Sequence, residues 1–140
     1  MTRDETGALA GRSFAARLSD SLLARKEELA LAVTEALYEA HPDFGPRYGA
    51  AGRVKCLQDM RYTLEQLAPA VALAEPVLFV RYVDWLVELL RPRGIPSDHV
   101  RGSLEAMAAV LAARLAPDEY AAASAGLHAA LATLPPRAPT

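Results

Sequence analysis

Apolar residues recur along this chain at helical spacing. Leu18, Leu22, Leu29, Val33 and Leu37 are separated by steps of four or seven, which puts them on one face of a helix from about Ser13 to Ala40. His41-Pro42-Asp43-Phe44-Gly45-Pro46 then predicts a turn, because two prolines and a glycine do not continue a helix. A second helix follows from about Arg47 or Ala51 to Leu67, and Pro69 kinks or ends it. Glu75-Pro76 opens a third, with proline in its first turn and Phe79, Tyr82 or Val83, Leu86 and Leu90 as its buried face. Pro92 to Pro96 close it. Ser97 with Asp98 is read as the N-cap of a fourth helix reaching about Leu115. Ala116-Pro117-Asp118-Glu119 starts a fifth, with proline and acids in its first turn, and Pro135-Pro136 ends it. No stretch alternates apolar and polar residues as a half-buried strand would. The pattern predicts a single all-α domain over 1–140, with poor order expected at 1–12 and 135–140. A bundle and a globin-like stack both agree with it.

Composition narrows the function. The 140 residues carry 15 basic and 17 acidic side chains, a net charge of −2, which lacks the basic excess of a nucleic-acid-binding surface. The single cysteine, Cys56, cannot form an internal disulfide, and with three scattered histidines it makes no zinc-ligand spacing, so no metal is expected. Charge interrupts every apolar stretch before the ~18 residues of a membrane helix, and MTRDETGALAGRS lacks the apolar core of a signal peptide. A cytoplasmic protein is expected. Phosphate loops, nucleophile elbows, zinc-protease motifs and Glu-x-x-His pairs are all missing, so no catalytic residue is assigned and an enzyme is not expected. His41, His99 and His128 read as surface or helix-end residues. A haem globin would need an axial histidine on the third helix, which has none.

The informative stretch is Arg53 to Leu64. On a helix, Arg53, Cys56, Asp59, Met60 and Thr63 fall at i−3, i, i+3, i+4 and i+7 and share one face. That face offers a cation, a thiol, a carboxylate and a hydroxyl where a purely structural helix would place leucines. Its blander meaning is a small packed cysteine above a solvated Asp59–Arg61 fringe.

The string KCLQDMRYTL resembles the chromophore-attachment segment of phycobiliproteins, in which an aspartate three residues after the cysteine is followed by tyrosine and leucine. Cys56, Asp59, Tyr62 and Leu64 hold those places here, and Arg61 also fits. Tyr48-Gly49-Ala50-Ala51-Gly52-Arg53 with Lys55 is similar to the small and basic residues that lead into that segment, and Glu75-Pro76 with Tyr82 resembles the proline and aromatic that cover the pigment. From about Leu29 to Leu115 the chain is also similar to helical modules beside cobalamin-binding domains of bacterial photoreceptors, some of which bind bilins.

The resemblance implies a globin-like, phycobiliprotein-like fold. It also implies a linear tetrapyrrole, biliverdin first and phycocyanobilin second, joined by a thioether to Cys56. Asp59 would accept hydrogen bonds from inner pyrrole N–H groups. Gln58 and Thr63 stand where phycobiliproteins usually have an arginine and often a second tyrosine, which moves the propionates to Arg53, Lys55 or Arg61, with Arg53 preferred for its planar fork. Met60 and Thr63 join the pigment face, and Tyr62, Tyr82 and Trp85 supply aromatic walls. Arg53 and Lys55 are expected to favour the Cys56 thiolate. The implied role is light sensing or pigment binding, with a homodimer expected from the apolar helix surface. A ligand-free regulatory or dimerisation module is the alternative, beside a carrier of haem breakdown products with no light role.

Overall fold

A computed structural model describes the backbone of residues 3–136 and the side chains of residues 13–136. The helical pattern is realised as α1 (Arg3–Ala24), α2 (Lys26–Ala40), α3 (Phe44–Ala72), α4 (Pro76–Leu90), a 3-10 turn (Arg91–Arg93), α5 (Ser97–Arg114) and α6 (Pro117–Thr133). There is no strand among the described residues, and the fold is all-α. No helix is long and apolar enough to cross a membrane, again among the described residues. The poor order expected at 1–12 and 135–140 falls partly on residues 1–2 and 137–140, outside the described residues.

The first predicted helix is two. Arg25 departs from helical geometry at φ −102°, ψ 10°. Hydrogen bonds run straight through it, from Arg25 N–H to the Ser21 carbonyl (3.0 Å) and from Leu29 N–H to the Arg25 carbonyl (2.9 Å), so the break is a bend. Neither proline nor glycine marks it. The seven-residue step from Leu22 to Leu29 spans the bend and hides it. The helix also starts at Arg3, well before Ser13.

The turn after α2 is shorter than its composition implies. Only residues 41–43 leave the helix, and Phe44, Gly45 and Pro46 form the first turn of α3, where proline's missing N–H would have no partner anyway. Gly49 then kinks the helix at φ 68°, ψ −174°, a conformation that costs a side chain dearly. Pro69 neither ends α3 nor needs to, since it sits in the last turn and the helix stops at Ala72.

Two helix ends use the same closure. At the end of α4, Gly94 takes φ 78° and the Ile95 N–H reaches back to the Leu90 carbonyl (3.2 Å). At the end of α3, Ala74 takes φ 51° and the Glu75 N–H reaches back to the Ala70 carbonyl (2.9 Å). Both are left-handed stops of the kind glycine favours, but only one has the glycine. At α5, Ser97 is the first helical residue, Pro96 precedes it, and no side chain caps the end, which corrects the expected serine cap. The start of α6 follows the predicted pattern: Glu119 Oε1 accepts from the Ala116 N–H at 2.9 Å.

α3 is the central helix, touching α1, α2, α4 and α6, while α5 packs between α2 and α6. The core joins Leu64 and Leu67 of α3 with Phe79 of α4, Leu104, Met107 and Leu111 of α5, and Leu127 of α6. Gly126 lets α4 and α6 close together, since a Cβ there would sit 3.0 Å from that of Phe79. Leu86 and Leu90, expected in the core, are half-buried because they border a cavity. On α5, Arg101 donates to the Pro135 carbonyl at 2.7 Å and approaches the Leu134 carbonyl at 3.4 Å, tying the end of α6 to α5.

The stop at Ala74 and the kink at Gly49 give opposite mutational signs. Ala74→Gly should stabilise the protein by about 1 kcal/mol, since the exposed alanine alone bears the left-handed strain. Gly49→Ala should cost about 1–3 kcal/mol although its new methyl meets open space. Urea unfolding followed by circular dichroism reads both, and equal signs would contradict the assigned geometry.

Candidate ligand-binding cavity

The kink at Gly49 folds the first turn of α3 toward α5 and leaves a cavity bounded by α2, α3, the end of α4 and the start of α5. It holds about 160 Å³ and opens to solvent. Leu37, Leu86, Leu90, Ile95, Val100 and Leu104 make its apolar wall, with Tyr38, Phe44 and Tyr48 as its aromatic one.

α3 supplies the chemistry. Cys56, Asp59, Met60 and Thr63 line the cavity together, as their helical spacing predicts, and Lys55 lines it too. Arg53 is placed elsewhere: its guanidinium lies 4.8 Å over the Tyr38 ring, in a separate groove with Glu35 and Glu39. Arg61 turns away toward Glu27, 2.6 Å off. Tyr62 is exposed and meets the Tyr82 ring edge-on at 5.7 Å. Trp85 is also exposed, on the outer side of α4. Tyr82 is buried behind Thr63, its hydroxyl 2.9 Å from that of Thr63. The Thr63 hydroxyl donates to the Asp59 carbonyl at 2.8 Å, so Tyr82 is the donor to Thr63.

Electrostatics separate the mouth from the interior. Lys55 Nζ pairs with Asp59 Oδ1 at 3.3 Å, and the Asp59 side chain keeps 37% of its exposure. The carboxylate therefore sits at the rim with a cation, not buried without one. Cys56 is half-buried, and burial pushes its thiol up, against a hydrogen bond with Thr34; the Asp59 charge raises it further and Arg53 lowers it. The expected tilt toward thiolate is reversed, because desolvation outweighs Arg53. Tyr82 is pushed up to about 12, chiefly by burial, with the Thr63 hydrogen bond opposing, and stays a phenol.

The residues missed in the sequence lie at the α5 end. Tyr48 Oη is 2.5 Å from Nδ1 of His99, and both residues line the cavity. Phe44 stacks on His41 (4.6 Å, 10°) and leans on His99 (4.7 Å), so the aromatic cluster bridges α2, α3 and α5. Gly52 makes room for it, since a Cβ there would fall 2.4 Å from that of Tyr48. The paired glycines around Tyr48 were the available local signal. His99 had none, standing 51 residues away from its partner.

Among the described residues no three His, Cys, Asp or Glu side chains gather as a metal site. No protein-family model matches this chain, and no curated protein matches it in sequence.

Burial holds His99 below its usual pKa, with help from Arg47 and His41. An unfolded histidine takes its proton near pH 6.5, whereas His99 in the fold takes it only at lower pH. Between those values the unfolded chain binds more protons, so stability falls as pH drops below about 6.5. Thermal melts between pH 7.5 and 5 should show this decline, with a shallower slope in His99→Gln. Parallel slopes would mean that His99 titrates as it does when unfolded.

Proposed function

We propose that this protein binds a linear tetrapyrrole, biliverdin first and phycocyanobilin second, in the cavity on α3. The observation that carries the reading is the convergence of Cys56, Asp59, Lys55, Met60 and Thr63 on one apolar and aromatic space. At about 160 Å³ the cavity is smaller than the roughly 300–1,000 Å³ of a typical ligand site, so a tetrapyrrole would extend out through its open mouth. An elongated ligand with one end enclosed and the other in the mouth matches that shape. When bound, such a pigment supplies absorption of visible light.

The side chains divide the work. Asp59 accepts hydrogen bonds from pyrrole N–H groups at the rim, where water and Lys55 keep its charge inexpensive. Lys55 replaces Arg53 as the cation available to a propionate. The Tyr82–Thr63 hydroxyl chain closes the cavity floor and fixes the turn that carries Asp59. Cys56 attaches the ligand when its thiol adds across a vinyl group: sulfur bonds one vinyl carbon, the proton goes to the other, and no oxidant is needed. Because burial keeps the proton on sulfur, attachment is slow at neutral pH and quickens in base.

Helices arranged around a central α3 support the globin-like arrangement as part of this reading. The exposed Val77, Leu78 and Trp85 of α4 support a homodimer. A light-sensing, cytoplasmic role belongs to the same proposal, and no catalysis is assigned.

Co-expression with a haem oxygenase should yield coloured protein with zinc-induced fluorescence on a denaturing gel. Cys56→Ala should lose that fluorescence, and wild-type attachment should accelerate as pH rises from 7 to 9. Asp59→Asn should weaken and blue-shift the long-wavelength band. Colourless wild-type protein would return the chain to the ligand-free alternative, and an unaltered Asp59→Asn spectrum would remove Asp59 from the site.

A further inference from the structure

α4 buries one face and leaves a second, partly apolar face bare. Val77, Leu78, Arg81, Asp84, Trp85 and Glu88 follow one another at steps of one and three, so they share a stripe opposite the buried Phe79 and Val83. All six are exposed. Among the described residues eight large hydrophobic side chains are exposed. Five of them, Tyr62, Leu73, Val77, Leu78 and Trp85, lie on α4, just before it, or on the side of α3 beside it. Ring contacts join Tyr62 to the stripe: its centroid is 5.7 Å from that of Tyr82, which is 6.0 Å from that of Trp85. The apolar surface left open by this fold is therefore concentrated, not scattered.

The charges on the stripe are ordered. Arg81 stands in the N-terminal half of α4, Asp84 and Glu88 in the C-terminal half. Arg81 and Asp84 form no ion pair among the described residues, and Glu88 meets Arg91 at 3.2 Å where both are exposed. Laid parallel to a copy of itself, the stripe would set Arg81 against Arg81 and Asp84 against Asp84. Laid antiparallel, it sets Arg81 of each copy against the acidic half of the other and Leu78 beside Trp85, a self-complementary pattern. The two acids also turn the stripe away from an anionic membrane surface. We propose that a second copy of this chain docks antiparallel on the outer face of α4, about a two-fold axis between Arg81 and Trp85. One short helix face lies at the small end of interface sizes, so this dimer dissociates on dilution. The inference rests on the homodimer part of the reading above and not on the tetrapyrrole.

Trp85 is the single tryptophan of the chain, so its fluorescence reads the face directly. The full chain without ligand, followed by sedimentation equilibrium from about 1 μM to about 1 mM, should pass from monomer to dimer. Tryptophan emission should shift to the blue over the same range. Trp85→Glu, with helicity checked by circular dichroism, should weaken association by about tenfold or more. Arg81→Glu, a change at an exposed position, should weaken it about tenfold by setting acid against acid. Adding Asp84→Arg and Glu88→Arg to that same chain reverses the whole pattern and should restore association to within about threefold. In a parallel pair none of these reversals would matter, because like would face like before and after. A wild type that stays monomeric, or a dimer whose emission does not shift, overturns the face. Arg81→Glu that associates as the wild type does, or a triple variant no tighter than Arg81→Glu, overturns the antiparallel docking. Neither result touches the tetrapyrrole reading, which pigment binding decides, and colourless protein leaves this dimer standing.

Discussion

Everything at the candidate site hangs on one backbone conformation. At φ 68° and ψ −174°, Gly49 stops α3 from running straight and turns its first five residues across the start of α5. Without that swing Phe44 and Tyr48 would not meet His99, and the gap among α2, α3 and α5 would have no lid. Gly52, one turn later, keeps the shoulder of α3 bare so that Tyr48 lies back against it. The cavity is therefore a product of backbone freedom at one residue and absent side-chain volume at another.

Polar groups follow the depth of that space. The ion pair of Lys55 and Asp59 stays at the mouth, where solvent offsets the desolvation of both charges. Further in, groups that could ionise are held neutral by burial: the Cys56 thiol, the Tyr82 phenol and the His99 ring. The interior thus offers hydroxyl, thiol and imidazole dipoles among apolar walls, with full charge kept at the entrance.

How much of this was legible depended on the range of the signal. Periodicity and proline placement found the later helices, because Pro76, Pro117 and the acids after Pro117 act within one turn of their own position. The bend at Arg25 left no trace, since an apolar step of seven fits a straight helix and a bent one equally. Pro46 and Pro69 looked like breakers, yet each sits in a terminal turn where a missing N–H costs little. Helical spacing correctly gathered Cys56, Asp59, Met60 and Thr63, a purely local property. It misplaced Arg53, because a long side chain one turn away swings to whatever attracts it, here the Tyr38 ring beside Glu35 and Glu39. Tyr48 and His99 come together only through tertiary packing, which no spacing rule encodes.

The Arg101 clamp gives the fold a mechanical property. Its guanidinium grips the carbonyls at the end of α6 from the same helical turn that carries His99, through charge-assisted bonds stronger than ordinary backbone ones. Tension applied to the chain beyond Leu134 is therefore borne by the first turns of α5 before it reaches the rest of α6. Leu134 and Pro135 are thereby rigged to the helix that forms one wall of the cavity, as a stay is rigged to a mast.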